Sequence, residues 1–207
     1  MFISFEGLDG SGKTTQVQRL AVWLRTHGWD VLTLREPGGT RLGDAIRAIL
    51  HDQTYAEMDV WAELMLYCAS RAQLVAEQVR PHLQNGSVIL SDRFADSTLA
   101  YQGYGRGLDL GFLRTLLHAI THGLQPDLTL YLDIDPERAL ARRRSSGEEV
   151  NRMDAESIEF HRRVRAGYHQ LIAEQPDRWV VIDASASPDQ VAAHIQAVVK
   201  ARLNLSG

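Results

Sequence analysis

The sequence predicts a doubly wound α/β fold, a five-stranded parallel sheet flanked by helices on both faces. Five short, nearly continuous apolar segments alternate with amphipathic segments of helical period along the chain. Apolar runs of this kind are typical of strands that are covered on both faces. No linker, repeat or low-complexity segment interrupts the alternation, and 207 residues are enough for one sizeable core. We therefore expect a single domain over residues 1–207.

Each predicted strand is bounded by turn residues and is followed by a helical segment. Pro136 and Pro188 support two of the helices, because each follows an Asp or Ser and proline is favoured directly behind such a cap. In chain order, the predicted strands are Phe2–Glu6, Val31–Arg35, Ser87–Ser91, Leu128–Asp133 and Trp179–Asp183. The predicted helices cover about Lys13–His27, Leu42–His51, Asp59–Leu83, Leu110–Thr121, Pro136–Ser146, Ala155–Glu174 and Pro188–Leu203.

Composition narrows the classes of function. The net charge of −4 argues against a protein whose main partner is a nucleic acid backbone. The sequence shows no signal peptide and no run of roughly 18 apolar residues that would span a membrane. The one cysteine, Cys68, excludes an intramolecular disulfide and a cysteine-rich metal site. We expect a soluble, cytoplasmic protein without a membrane or nucleic acid partner.

Three segments do not fit the regular alternation, namely Glu36–Thr40, Asp92–Leu110 and Ser145–Asp154. The first two directly follow the carboxyl ends of predicted strands, where ligands bind in open α/β sheets. The third is reached from such an end through one short helix. We expect functional residues in these loops.

A complete phosphate-binding pattern follows the first predicted strand. Its glycines allow successive backbone N–H groups to turn towards one anion, and the next helix points its positive end at the same place. We expect Lys13 to bridge the β- and γ-phosphates of ATP, and the Thr14 hydroxyl to ligate Mg²⁺. The pattern consists of Gly7, Leu8, Asp9, Gly10, Ser11, Gly12, Lys13 and Thr14.

A carboxylate ends the third apolar run, Ser87–Ser91. Asp92 is predicted to hold Mg²⁺ or its waters, because an acid at a strand end beside a phosphate loop is a suitable metal partner. The adjacent Arg93 is able to bind a phosphate group with two hydrogen bonds.

The remaining charged loop favours a kinase over a molecular switch. No Asn-Lys-x-Asp segment that would read guanine is present. Arg142, Arg143 and Arg144 instead begin a basic loop that ends at Arg152, and we expect it to close as a lid, approximately residues 142–154, over the phosphates. Such a lid stabilises charge on the transferring group and excludes water.

At this point the sequence resembles the bacterial thymidylate kinases, over nearly its whole length. The resemblance implies the P-loop kinase fold and transfer of the γ-phosphoryl group of ATP to thymidine 5′-monophosphate (dTMP), with Mg²⁺ and as a homodimer. The motifs that carry it are Phe5–Thr15, Arg35–Thr40, Tyr67–Gln73, Asp92–Gly103, the arginine lid and Val181–Ser185.

The resemblance also implies roles for acceptor-site residues. Arg93 matches the residue that grips the acceptor phosphate, Tyr67 an aromatic that stacks on thymine, and Arg71 a reader of a base carbonyl. A helix would present Tyr67 and Arg71, four residues apart, on one face. Thr98 and Gln102 match positions around base and sugar, Tyr101 one that crowds the ribose 2′ position, and Asp9 an acid near sugar and metal. The matched motifs further include Glu36, Pro37 and Ser97.

The family divides by the place of its catalytic arginine. Gly10 fills the loop position that carries Arg in the eukaryotic type, so the resemblance implies that the lid supplies the charge. Arg142, Arg144 and Arg152 are the candidates, together with Lys13 and Asp9. No general base is expected, because the attacking phosphate is already largely an anion at neutral pH.

The sequence departs from the family pattern at four places. The lid is one residue longer, and Asn151 stands where an Asp is expected. Ser70 replaces an Asp, and Phe94 replaces a Tyr or His.

Two other functions remain open from the residues alone. A deoxynucleoside kinase would use Glu36 as a base to take the hydroxyl proton of its acceptor. A regulatory protein would bind ATP without efficient transfer.

Overall fold

The computed structural model describes residues 1–145, 147 and 152–203, and it confirms the predicted fold class. Five strands form a parallel sheet in the order β2-β3-β1-β4-β5. The phosphate loop follows the central strand, β1, which pairs with β3 on one side and β4 on the other. The strands are β1 (Phe2–Glu6), β2 (Val31–Arg35), β3 (Val88–Asp92), β4 (Leu128–Asp133) and β5 (Trp179–Asp183).

Helices cover both faces of this sheet. Helix α1 contacts β1, β2 and β3, and α9 packs on α1 and β5, whereas α3, α5, α6 and α8 form a second packed group. The helices are α1 (Lys13–Thr26), α2 (Arg41–His51), α3 (Val60–Leu74), α4 (Arg80–Gln84), α5 (Ala95–Thr98), α6 (Leu110–Thr121), α7 (Pro136–Ser145), α8 (Ile158–Glu174) and α9 (Pro188–Arg202). Two π-helical segments, Val75–Val79 and Leu99–Gly105, extend α3 and α5.

Local capping explains where the helix boundaries differ from prediction. Helix α2 begins at Arg41, one residue early, because the Thr40 hydroxyl caps it by accepting from the Gly43 N–H. Helix α8 begins three residues later than predicted, because the Ser157 side chain accepts from the Phe160 N–H at 3.2 Å.

The prediction of an irregular loop over Asp92–Leu110 was wrong. Most of that segment is helical, as α5 and the π-helical Leu99–Gly105. Its glycines serve close packing, since a β-carbon at Gly103 would lie 2.5 Å from a Leu110 side-chain atom.

None of the helices within the described ranges is long and apolar enough to cross a membrane.

Candidate active site

A cavity of about 350 Å³ opens at the carboxyl edge of the sheet, where β1, β2 and β3 end. It joins the phosphate loop to the acceptor-site residues expected from sequence. Of those residues, the lining includes Glu36, Pro37, Tyr67, Arg71, Arg93, Ser97, Thr98, Tyr101 and Gln102. From the phosphate loop and metal candidates it includes Asp9, Gly10, Gly12, Lys13, Thr14 and Asp92, whereas Gly7, Leu8 and Ser11 lie behind that surface.

The side chain of Lys13 forms hydrogen bonds with the backbone of the phosphate loop itself. Lys13 is buried, and its ammonium donates to the carbonyl oxygens of Gly7 at 3.1 Å and Leu8 at 2.8 Å. Burial, followed by the charge of Arg93, lowers the pKa of Lys13, while Asp9 works in the opposite direction. An anion in the loop would offer this ammonium a stronger acceptor than neutral carbonyls.

Thr14 and Asp92 meet at the mouth of the loop. The Thr14 hydroxyl donates to Asp92 Oδ2 at 2.5 Å, although 78 residues separate them. Both supply oxygen atoms, which Mg²⁺ prefers, and Mg²⁺ commonly takes only one or two protein carboxylates plus waters and phosphates. The pair fits that pattern, and the described ranges hold no cluster of three His, Cys, Asp or Glu residues that would suit a different metal.

Arg93 links the phosphate loop to the acceptor side. Its guanidinium donates to Asp9 Oδ1 at 2.7 Å, to the Ser97 hydroxyl at 3.0 Å and to the Tyr101 hydroxyl at 3.1 Å. Burial alone would raise the pKa of Asp9, but the charges of Arg93 and Lys13 outweigh it and hold that pKa well below its usual range. Arg93 has a φ of 75°, a left-handed conformation that a side chain adopts only when its surroundings impose it.

A buried carboxylate beneath Arg93 accounts for this constraint. The Glu6 side chain accepts from the Phe94 backbone N–H at 2.8 Å, from the Ser97 hydroxyl at 2.5 Å and from the Tyr168 hydroxyl at 2.8 Å. These bonds fix the backbone directly after Arg93 to the central strand. The geometry of the guanidinium is therefore set before any ligand binds.

Arg71 lies at the other end of the cavity, inside a nearly closed set of partners. It is only 2% exposed and donates to Glu36 Oε2 at 2.7 Å, to Thr98 Oγ1 at 2.8 Å and to the Phe94 carbonyl at 3.0 Å. Burial raises the pKa of Glu36, and the Arg71 charge offsets this only in part. One Nη1 hydrogen of Arg71 has no partner among the described residues, and it is the donor left for a ligand.

Ser70, one of the departures from the family pattern, has a local structural task. Its hydroxyl accepts from the Gly38 backbone N–H at 3.1 Å and so ties α3 to the turn after β2.

Tyr67, one helical turn before Arg71, is half-buried in the lining. Burial, followed by the charge of Glu63, raises its pKa to about 12, so its ring stays neutral.

The arginines of the predicted lid divide into two groups. Arg142 and Arg143 line the cavity; the first donates to the Ala184 carbonyl at 2.8 Å and the second pairs with Asp154 at 3.0 Å. Arg144 is exposed and does not contribute to the lining. Residues 146 and 148–151, which include Asn151, lie outside the described residues.

Arg152 also lies away from the cavity surface. It is 7% exposed, donates to Glu63 Oε2 at 2.5 Å and to the Leu50 carbonyl at 3.2 Å. The structure therefore brings Arg142 to the phosphate side but not Arg144 or Arg152, and places Arg143 there instead. The catalytic part of each stays a prediction.

Sequence reasoning missed a basic group around the acceptor side. Arg35, Arg47 and His51 all line the cavity, and the Arg47 guanidinium donates to the Pro37 carbonyl at 3.0 Å. The spacing of Arg47 and His51, four apart on α2, is the signal that could have found them. Burial, followed by the charge of Arg47, lowers the pKa of His51 to about 4.

This lowered pKa predicts a pH dependence of stability. Below pH 6.5 the unfolded chain protonates His51, whereas the folded protein keeps it neutral down to about pH 4. The free energy of unfolding therefore falls as the pH is lowered from 6.5 to about 4. We expect His51→Gln to flatten this slope in urea denaturation at pH 7 and pH 5. His27→Gln, at an exposed histidine, is the control. An unchanged slope in His51→Gln would contradict the assignment.

Comparison with known proteins adds an independent line of support. A sequence model of the family described as Thymidylate kinase matches residues 5–195. A thymidylate kinase of Roseiflexus sp. (strain RS-1) is 48% identical, over 97% of this chain and 93% of its own length. One of Solidesulfovibrio magneticus is 51% identical, over 96% and 98%. The crystal structure of thymidylate kinase from Ehrlichia chaffeensis is similar with a TM-score of 0.78 and 32% identity, over 96% of this chain and 98% of that one.

Proposed function

The chain belongs to the thymidylate kinase family, and we propose how its cavity transfers the γ-phosphoryl group of ATP to dTMP. The products are dTDP and ADP, and the reaction belongs to nucleotide biosynthesis, as a step towards dTTP. One observation carries the proposal: the phosphate loop and a pocket with oriented donors for a base share a single cavity, with Arg93 between them.

ATP is bound on the side of the phosphate loop. The backbone N–H groups of residues 7–14 and the positive end of α1 hold its phosphates, and Lys13 leaves its carbonyl partners to bridge the β- and γ-phosphates. Thr14 and Asp92 would hold Mg²⁺, which supplies neutralisation of the charge on the phosphate oxygens.

The acceptor phosphate is bound by Arg93. Its Nη2 already lies 2.7 Å from Asp9, beside the phosphate loop, so a phosphate held there faces the γ-phosphorus of ATP. A phosphate oxygen of dTMP attacks that phosphorus, and the bond to the β-phosphate oxygen breaks to release ADP. No side chain has to remove a proton, because the attacking oxygen is already ionised near neutral pH.

The base is bound at the far end of the cavity. Arg71 presents a single remaining N–H donor, which suits a base carbonyl, and the Tyr67 ring lies one helical turn away for stacking. Thr98, Tyr101 and Gln102 enclose base and sugar. Glu36 is already paired with Arg71, so we assign it to orienting that guanidinium and not to proton removal from a nucleoside hydroxyl.

We propose that residues 1–207 form one domain whose lid, about residues 142–154, completes the site. All five strands belong to one sheet, and α1 and α9, from opposite ends of the chain, pack on each other, which supports a single domain. Of the lid arginines, Arg142 and Arg143 line the cavity, which supports them as the better candidates for stabilising charge on the transferring group. A cytoplasmic location follows from the same proposal, because both substrates are nucleotides of biosynthesis.

An ADP-release assay with ATP and Mg²⁺ tests the function. We expect fast turnover with dTMP and slow or no turnover with thymidine, which lacks an anionic nucleophile for Arg93, and with deoxyadenosine monophosphate, whose base lacks a carbonyl for Arg71. Fast turnover of free thymidine would contradict the assignment of Glu36. Release of ADP without any acceptor would indicate an ATPase.

We further propose a homodimer that uses α3 and α6. Trp61, Met65 and Phe112 are each more than two-fifths exposed, and the Trp61 and Phe112 rings contact each other edge to face with centroids 5.5 Å apart. An apolar surface of this kind, shared by two packed helices, suits a self-complementary interface. Sedimentation of the protein should give twice the 23.2 kDa chain mass, and Trp61→Glu should give the single mass. A monomeric parent protein would contradict the proposal.

A further inference from the structure

A buried carboxylate on α3 holds three side chains that converge from different parts of the chain. Glu63 is 1% exposed. Its Oε1 accepts from Gln102 Nε2 at 2.9 Å and from Arg106 Nε at 3.2 Å, and its Oε2 accepts from Arg106 at 3.0 Å and Arg152 at 2.5 Å. Glu63 does not line the cavity, whereas Gln102 does.

This contact fixes which end of the Gln102 amide faces a ligand. An ionised carboxylate only accepts hydrogen bonds, so the amide must direct its NH₂ group at Glu63. The reverse orientation would bring two acceptor oxygens together in a buried place, which is strongly unfavourable. Gln102 Oε1 has no hydrogen-bond partner within the part of the chain that the structure describes, and it is the end of the amide left for the cavity.

The neighbouring charges keep Glu63 in its ionised form. Burial alone would raise its pKa, but hydrogen bonds from Arg106 and Gln102 and the charges of Arg106 and Arg152 outweigh burial and lower that pKa. Both guanidinium groups are donors only and cannot substitute for Glu63 as the acceptor that Gln102 needs. The orientation of the amide is therefore constant over the neutral pH range.

We propose that Glu63 is a positioning residue for base selection: through Gln102 it makes the pocket prefer a pyrimidine with an N–H at ring position 3. The inference rests on the proposed function of the cavity. Arg71 offers a donor and Gln102 offers an acceptor, which are the two partners that a carbonyl and a neighbouring ring N–H need, as in thymine. Cytosine presents the opposite order, an amino group beside an unprotonated ring nitrogen.

Glu63→Gln tests the inference by reversing the amide. Arg106 and Arg152 would hold the new side-chain oxygen, so its NH₂ group would face Gln102 and turn the Gln102 NH₂ towards the cavity. We expect kcat/KM for dTMP to fall by about tenfold or more, and kcat/KM for deoxycytidine monophosphate (dCMP) to rise or stay level. The ratio of the two constants is the readout, because a loss of structure alone lowers both together.

Two matched variants accompany the test. Glu63→Asp keeps an acceptor carboxylate and should keep the dTMP to dCMP ratio within about threefold of the parent protein. Asp96→Asn neutralises another buried carboxylate that is paired with an arginine, Arg178, but lies outside the cavity, and should leave the ratio unchanged. A ratio that Glu63→Gln leaves unchanged, or that Asp96→Asn lowers equally, would overturn the proposal.

A second variant covers the case in which Glu63→Gln does not fold. Gln102→Met removes the oriented acceptor and leaves Glu63 with its two arginines, so the dTMP to dCMP ratio should again fall by about tenfold. An unchanged ratio would overturn the inference. Failure of the proposed function itself has a separate sign, since the parent protein would then show no preference for dTMP in the first place.

Discussion

Replacement of Arg93 by asparagine is expected to lower kcat/KM for dTMP by about a thousandfold or more. Arg93 is the cation that contacts both Asp9 in the phosphate loop and the acceptor-side hydroxyl groups of Ser97 and Tyr101. Asparagine tolerates a positive φ better than most side chains, so it fits the 75° backbone angle while removing the guanidinium. The loss should appear in kcat as well as KM, because a charge that positions the nucleophile acts in the transition state.

Two comparisons isolate the cause of that loss. Arg93→Lys keeps the charge without the planar fork, and we expect an intermediate rate. Arg178→Met removes a similar, partly buried arginine that pairs with Asp96 outside the cavity, and it should reduce stability while kcat/KM stays near that of the parent protein. An Arg93→Asn enzyme that lost less than tenfold would show that another cation binds the acceptor phosphate.

Arg71→Met is expected to have the largest effect on stability, about 3–5 kcal/mol in the free energy of unfolding. Arg71 and Glu36 are 2% and 4% exposed, and removal of the cation leaves a carboxylate in a buried place without its partner. Urea denaturation measures this change, and the KM for dTMP should rise in the same variant because the base loses its donor.

The double variant Arg71→Met with Glu36→Gln separates structure from binding. Neutralising Glu36 removes the unpaired charge, so most of the lost stability should return. The KM for dTMP should not return, because neither new side chain donates to a base carbonyl from the position of Arg71. If the single and double variants were equally unstable, the ion pair would not be the source of the effect.

The part of the fold that sequence predicts well is the part set by local pattern. The phosphate loop is contiguous, its flanking strand and helix are periodic, and β1 and α6 have the predicted bounds. Local pattern does not predict the order of the strands in the sheet, because pairing depends on contacts between distant segments. The sequence did not predict that residues 95–105 are helical, because glycines such as Gly103 and Gly105 are typical of turns. In the fold they are contact points, and a β-carbon at Gly105 would lie 2.7 Å from the Phe160 ring.

Sequence motifs predicted many of the residues that line the cavity. They did not predict the positions of residues that depend on a distant hydrogen-bond partner. From sequence, Arg152 is predicted to be one more lid arginine, but its partner Glu63 is 89 residues away, on α3. The contribution of Glu36 likewise depends on Arg71, 35 residues further along the chain. Side-chain charge shows that a residue needs a partner, but only the fold decides which partner it receives.

The space around Gly10 limits which side chains the phosphate loop of this chain can carry. A β-carbon at this position would lie 2.1 Å from the Ala139 carbonyl oxygen, within the backbone of α7 that leads into the lid. An arginine could not be added here by a single substitution, because its first carbon already collides with a neighbouring helix. In this chain, a phosphate loop that carries the charge in place of the lid would therefore require a backbone rearrangement that displaces α7.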